Sequence, residues 1–310
     1  MAEMYDVAII GAGVTGFGAA MYSGRFHLKT IVIGEKVGGT IILTDDVANY
    51  PGFKRLTGME LAQKIQEHAE EYGITLKDQK VTKLEKADDG SFNMFIDEER
   101  IQAKAVILAT GTIWRKLDVP GEEEYASKGV HYCALCDGAF YKDKVVAIVG
   151  GSDSAGKEAL VLTQWAKKVY ILYRGEKIRP EPVTMARIEQ NSKIEIINHV
   201  NVKEIKGTQF VNKVLLDRMH HGSTEFPLDG VFIDVGHIAL SDLARQVGAK
   251  LNKKGEVMID REAKTNIEGF YAAGDVVDTT FKQAITGVAE GVTAAYSAFN
   301  YIKSLEIKPA

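Results

Sequence analysis

Cysteine is the scarcest informative residue in this chain. Only two occur in 310 residues, which excludes a structural disulfide framework and falls two thiols short of a four-cysteine zinc site. No metal is expected. Proline is scarce as well, six against thirty glycines, a balance that suits an α/β protein with tight strand-to-helix turns. The apolar runs are strand-sized, far short of the roughly 20 residues a membrane helix needs. A net charge of −4 offers no field for nucleic acid or an anionic membrane surface. The opening MAEMYDVAII has no basic stretch before its apolar run, so a strand is expected there rather than a signal peptide. A cytoplasmic location is the matching expectation.

What is present is ordinary for a globular protein: 45% hydrophobic and 26% charged residues, in a chain long enough for about two domains. The two cysteines stand three apart, as Cys133-Ala134-Leu135-Cys136 followed by Asp137-Gly138. With no secretory signal in view, a Cys-x-x-Cys pair reads as a redox dithiol. Such a pair needs an electron source, and glycine loops stand on both sides of it.

The first loop is Gly11-Ala12-Gly13-Val14-Thr15-Gly16, after an apolar run at 5–10 and before a small-residue helix. A second strand at 30–33 leads to Glu35, about 20 residues beyond the loop, as a dinucleotide fingerprint requires. Gly11 permits the turn, Gly13 lets the backbone approach a pyrophosphate, and Gly16 packs helix on strand. The helix N-terminus then faces the phosphates. Glu35 is either the ribose ligand or a solvated loop acid. The second loop, Gly150-Gly151-Ser152-Asp153-Ser154-Ala155, follows a strand at 144–149 and precedes a helix expected at 156–167 and a strand at 168–173. Ser152 stands where the second motif glycine belongs and adds a Cβ at the closest approach to phosphate. Beyond it, Arg174, Lys177 and Arg179 form either a 2′-phosphate clamp or a solvated basic turn.

This arrangement closely resembles the low-molecular-weight thioredoxin reductases over nearly the whole chain. The matches are the Gly11-x-Gly13-x-x-Gly16 loop, the Gly38-Gly39 turn with 47–52, Ala109-Thr110-Gly111, Cys133-x-x-Cys136-Asp137-Gly138, Asp153-Ser154-Ala155, Ala273-Gly274-Asp275 and Gln283-Ala284. The resemblance implies an α/β fold of two Rossmann-like dinucleotide-binding domains, three-layered, with a discontinuous FAD domain. Its segments are expected at 1–114 and 241–310, and the pyridine-nucleotide-type domain with the dithiol at 115–240. FAD would lie against Gly11, Gly13, Gly16, Glu35, Gly39, Thr40, Asn49, Thr110, Gly111, Gly274, Asp275, Lys282, Gln283 and Ala284. Read without the resemblance, Asp275 would cap the helix that follows. Lys282 replaces the family's arginine, keeping the charge without the fork.

NADPH is the donor the resemblance implies, at Gly150, Ser152, Ser154, Ala155, Arg174 and Arg179. Ser152, Tyr173 in place of histidine and Gly175 in place of arginine depart from that motif. Relatives that lack it draw electrons from a reduced deazaflavin or ferredoxin. By resemblance, Cys136 is the flavin-proximal sulfur, Cys133 attacks the disulfide of thioredoxin or a thioredoxin-like protein, and Asp137 moves the proton. Asp137 also reads as a turn cap, and His131 as a loop histidine with an ordinary hydrogen bond. A homodimer is implied, as is a second domain rotating about crossings near 114–116 and 236–242. A dithiol oxidase and a non-catalytic flavin redox sensor are the alternatives. Elsewhere the sequence reads structurally: Thr57 to Glu60 forms a capping box, with Ala62, Ile65, Ala69 and Tyr72 following at helical spacing as core, and Glu122, Glu123 and Glu124 a solvated loop.

Overall fold

The computed structural model describes residues 4–44 and 47–307. The first three residues of the opening segment and the last three of the closing one lie outside it. The chain divides into two compact units, residues 1–113 with 238–310, and residues 114–237.

In the first unit, β1 (Met4–Ile10) runs into α1 (Val14–Arg25), and β2 (Thr30–Ile33) lies parallel to β1 with Val7 opposite Thr30. Residues 7–10 of β1 and all of β2 are buried and mostly β-branched, which is how a parallel strand covered by two layers reads. Helix α2 (Gly58–Glu70) begins with the expected capping box: the Thr57 hydroxyl accepts the Glu60 N–H, and the Glu60 carboxylate accepts the Thr57 N–H at 2.7 Å. Strands β3 (Thr75–Lys77), β4 (Lys83–Lys86), β5 (Phe92–Ile96) and β6 (Glu99–Leu108) follow. The long β6 lies in the middle of one seven-stranded sheet and pairs differently along its length. Its second half pairs parallel with β1, its first half antiparallel with β5. One apolar core lies between the parallel sheet and this antiparallel layer, around Phe92 and Leu84. A second lies between the sheet and the helices, around Phe17 and Ala20.

Strand β7 (Thr112–Trp114) leaves the first unit. The second repeats the plan with β8 (Val130–His131), α3 (Ala134–Asp137), β9 (Val145–Val149), α4 (Asp153–Leu162), β10 (Lys168–Tyr173), α5 (Pro182–Glu189) and β11 (Ile194–Asn198). An antiparallel layer, β12 (Val202–Gly207), β13 (Val211–His220) and β14 (Ser223–Pro227), precedes β15 (Gly230–Ile233). The parallel order is β11-β10-β9-β15-β8, with cores on both faces. Helix α4 differs from its expected span of 156–167. It starts at Asp153 because the Ser152 hydroxyl accepts the Ala155 N–H, and it ends at Leu162. The acids at 122–124 are not uniformly solvated either. Glu122 is buried and accepts the N–H groups of Leu117 and Asp118 and the Tyr132 hydroxyl.

The chain returns through β16 (His237–Ala239), which pairs with β7, then α6 (Asp242–Gln246), β17 (Phe270–Ala272) and α7 (Ala284–Ile307). Strand β17 adds to the parallel sheet beside β6, with Phe270 opposite Val106. Helix α7 packs on α1 through glycine: a Cβ on Gly291 would lie 2.5 Å from the Thr15 carbonyl oxygen, and one on Gly18 of α1 would lie 2.9 Å from Val288. No helix among the described residues is long and apolar enough to cross a membrane.

Candidate active site

The first glycine loop is walled by backbone. Gly11 has φ +124°, and its N–H bonds the Ile33 carbonyl at 2.8 Å. A Cβ there would lie 2.1 Å from the Ala109 oxygen, and one on Gly16 would lie 1.8 Å from the Gly11 oxygen. These two glycines therefore lock loop, helix and β6 together. Gly13 has a different task. It caps α1 without any side-chain hydrogen bond, the first turn carries no acid, and a Cβ there would meet only the Gly39 Cα, at 3.6 Å. Gly39, at φ +69°, faces it from the turn before Thr40. Backbone on both sides and a helix N-terminus between them fit a dinucleotide pyrophosphate.

The other first-unit candidates gather in part around this cradle. Gly274, at φ +81°, backs onto Thr15, and its N–H bonds Glu290 at 2.9 Å. Asn49 donates to the Gln283 side-chain oxygen at 2.9 Å, bringing together two residues distant in sequence. Gln283 directly precedes Ala284, the first residue of α7. The Thr110 hydroxyl donates to the Leu240 carbonyl at 2.7 Å, beside Gly111 at φ +68°. Lys282 donates to the Asp275 carbonyl at 2.7 Å and pairs with Glu256 at 2.9 Å. Asp275 is exposed and lies inside a short 3-10 turn, Gly274–Val276, capped by Ala273. The helix-cap reading of Asp275 is thereby corrected, since the next α-helix begins only at Ala284. Glu35 is exposed and stands 3.7 Å from Lys80.

The second glycine loop is built with side chains. A Cβ on Gly151 would lie 2.4 Å from the Tyr173 ring, and one on Gly175 would lie 2.6 Å from it. The ring of Tyr173 thus packs against both glycines. The Ser152 hydroxyl, 3.2 Å from the Ala155 N–H, fills the cap position that Gly13 leaves to backbone in the first loop. Asp153 adds an acid to the first turn. The Ser152 hydroxyl thus takes up one N–H of this helix end, where the first loop leaves its own without any side-chain cap. Ser154, Arg174 and Arg179 are exposed, and the Arg179 N–H bonds the Gly151 carbonyl at 2.8 Å.

The dithiol lies in the same unit. Cys133 and Cys136 are disulfide-bonded, with Cα atoms 5.4 Å apart. Cys133 is the N-cap of α3, its sulfur accepting the Cys136 N–H at 3.1 Å. Cys133 is buried and Cys136 exposed. A hydrogen bond to sulfur favours the charged form, so a thiolate on Cys133 is stabilised once the bond opens. Asp137 follows directly. Its carboxylate lies 2.9 Å from Nδ1 of His131, which is a buried strand residue of β8 and not a loop histidine. Beneath α3, Glu158 of α4 accepts the Ala134 N–H; burial, with the charge of Asp234 beside it, pushes its pKa up to about 8. Both carboxylate oxygens of the buried Asp234 and one of Glu158 have no hydrogen-bond partner. Sequence reasoning missed Glu158, Asp234, Tyr141 and the Glu122–Tyr132 contact, none of which carries a motif.

Two dinucleotide-type units with a two-residue redox disulfide define a flavoprotein disulfide oxidoreductase. The family described as pyridine nucleotide-disulphide oxidoreductase matches residues 5–291. A thioredoxin reductase of Bacillus subtilis (strain 168) is 37% identical over 309 residues, covering 98% of this chain and 96% of the relative. The crystal structure of Lactococcus lactis thioredoxin reductase (FR conformation) superposes with a TM-score of 0.93 at 36% identity, over 97% of this chain and 99% of the other. A ferredoxin-flavin thioredoxin reductase from Clostridium acetobutylicum gives 0.55 at 30% identity, over 99% of this chain and 100% of the other. The chain belongs to the low-molecular-weight thioredoxin reductase family.

Proposed function

We propose that this enzyme takes electrons from a donor other than NADPH, and that they pass by way of FAD and the Cys133–Cys136 pair to the disulfide of a thioredoxin-like protein. FAD, when bound against Gly11, Gly13, Gly16, Gly39 and Gly274, supplies the two-electron chemistry. The observation that carries the reading is the disulfide capping α3, with one sulfur already accepting an N–H. That bond supports Cys133 as the thiolate that attacks the partner's disulfide, leaving Cys136 to close on it and release the product. Asp137, next in sequence to Cys136, serves as acid and base for the thiols. We assign the FAD domain to residues 1–114 and 241–310 and the dithiol domain to 115–240, in a cytoplasmic homodimer as the family resemblance implies.

The choice of donor rests on the second loop. The Ser152 cap and the packing of the Tyr173 ring on Gly151 support this choice, since both put side chains where the first loop has bare backbone. One solved relative at 30% identity is a ferredoxin-flavin thioredoxin reductase, which makes reduced ferredoxin the first donor to try and a reduced deazaflavin the second. Anaerobic stopped-flow of the purified flavoprotein, followed near 450 nm, separates the cases. Bleaching by reduced ferredoxin or deazaflavin and none by NADPH or NADH supports the proposal. Rapid bleaching by NADPH overturns the choice of donor and puts Arg174 and Arg179 to work as the clamp. Peroxide production from a small dithiol would mark an oxidase, and no turnover with any donor a sensor.

A further inference from the structure

Burying a histidine is costly unless both ring nitrogens find partners. His131 is 7% exposed, and both of its partners lie close to the redox pair in sequence. Nε2 is 2.7 Å from the Tyr141 hydroxyl, and Nδ1 is 2.9 Å from Asp137 Oδ2. The ring is held flat against Phe232, centroids 5.2 Å apart, with the edge of Tyr141 at 5.4 Å. Gly230 admits Tyr141, since a Cβ there would lie 2.3 Å from its ring.

The proton positions follow from these contacts. Burial, with the charges of Asp137 and Asp229 behind it, pushes Tyr141 up to about 12, so its hydroxyl keeps its proton and donates to Nε2. The neutral imidazole then carries its own proton on Nδ1, aimed at Asp137. If the ring gains a second proton, the Nε2 contact reverses and the Tyr141 oxygen accepts. In both of these states Nδ1–H faces the carboxylate, and only the doubly protonated ring has a proton to give there. Lys144, whose Nζ lies 5.6 Å from the centre of the Tyr141 ring, is the cation on the far side.

We infer that His131 is the positioning residue of the dithiol: it fixes the Asp137 carboxylate beside Cys136 and stores the proton that Asp137 exchanges with the thiol. The inference rests on the reading of Cys133, Cys136 and Asp137 given above. When two electrons open the Cys133–Cys136 bond, one sulfur leaves as thiolate and the other takes a proton from Asp137; the doubly protonated His131 ring restores it from Nδ1 and is left neutral with its proton on Nε2, donating to the Tyr141 oxygen. On the return, the Cys136 thiol gives its proton to Asp137 and onward to His131. The Cys136 sulfur bonds to Cys133, and the bond from Cys133 to the partner's sulfur breaks, that sulfur departing as thiolate.

The test titrates the thiols themselves and needs neither donor nor thioredoxin. The full-length flavoprotein is reduced with dithiothreitol, freed of reductant anaerobically, and alkylated with iodoacetamide between pH 5.5 and 9.5, each cysteine being read by peptide mass spectrometry. Loss of the carboxylate in Asp137→Asn lowers the pH midpoint of Cys136 alkylation. His131→Asn, which keeps a hydrogen-bond donor but cannot titrate, raises it by about half a unit, of the size a nearby charge gives. The double variant behaves as Asp137→Asn alone, because His131 acts through Asp137. Tyr141→Phe moves the midpoint in the same direction as His131→Asn and keeps the test open if that variant misfolds. A His131→Asn shift that persists without Asp137, or no shift although Asp137→Asn moves the midpoint, overturns the inference. So does a lowered melting temperature with an unmoved midpoint. A disulfide that dithiothreitol fails to open overturns the functional reading and the inference together.

Discussion

The two glycine loops share one plan and solve it with different atoms. In each, a buried strand runs into a turn and a helix, with a parallel strand beyond. At Gly13 the first loop offers backbone alone, with the helix end uncapped by any side chain. At the corresponding place the second presents the Ser152 hydroxyl, already bonded to the helix, and the Tyr173 ring lies against Gly151. The lesson is that a glycine motif works by what it leaves out. Restore one side chain and one N–H of the helix N-terminus is taken up from within, so an approaching anion meets a hydroxyl where the first loop offers backbone.

The comparison breaks most visibly at Gly11. Gly11→Ala forces a Cβ into the Ala109 carbonyl at a left-handed φ, and we expect destabilisation of about 3 kcal/mol or more. Differential scanning calorimetry with flavin content measured in parallel reads this; a yellow protein with unchanged melting would contradict it. The next effect belongs to the second unit alone. Glu158 holds its proton to about pH 8 when folded, against 4.5 as its ordinary value. Between those values the folded chain binds a proton the unfolded chain has lost, so stability falls as pH rises across that window, by about 1 kcal/mol per pH unit. Glu158→Gln removes that slope, as denaturant midpoints taken from pH 5 to 9 will register. The smallest effect sharpens the comparison itself. Ser152→Gly costs only a few tenths of a kcal/mol as a cap replacement. Combined with Tyr173→His and Gly175→Arg, it converts the second loop toward the backbone-walled kind, and fluorescence titration should find NADPH binding at least about tenfold tighter.

What the sequence made legible was what backbone chemistry dictates. The strand at 30–33 and the capping box at Thr57 come out as written, since each depends on residues within a turn of one another. So does the disulfide at Cys133 and Cys136, where spacing alone allows the bond. The span of α4 differs from the expected one because the serine in place of glycine, besides adding a Cβ near the phosphate position, starts the helix with its hydroxyl. Glu122 looked like one of three solvated acids. Its burial is set by Tyr132, ten residues on, and by the two N–H groups of a loop that folds back over it. His131 had no visible partner because Tyr141 reaches it only through the gap that Gly230 leaves on a strand far along the chain. Tertiary contacts of this kind leave no periodicity to read.

The split of the first unit also has a consequence for how the molecule is made. Strand β17 and helix α7, which complete its sheet and seal α1 through Gly291, are encoded after the whole of the second unit. A ribosome therefore delivers residues 114–237 as one uninterrupted block while β6, already beside β1 and β5, still lacks β17 and α1 still shows a bare glycine face. Synthesis usually lets domains fold in order of appearance. Here the unit that starts first must finish last: the open part of the β6 edge waits for β17, and the glycine face of α1 for the final helix.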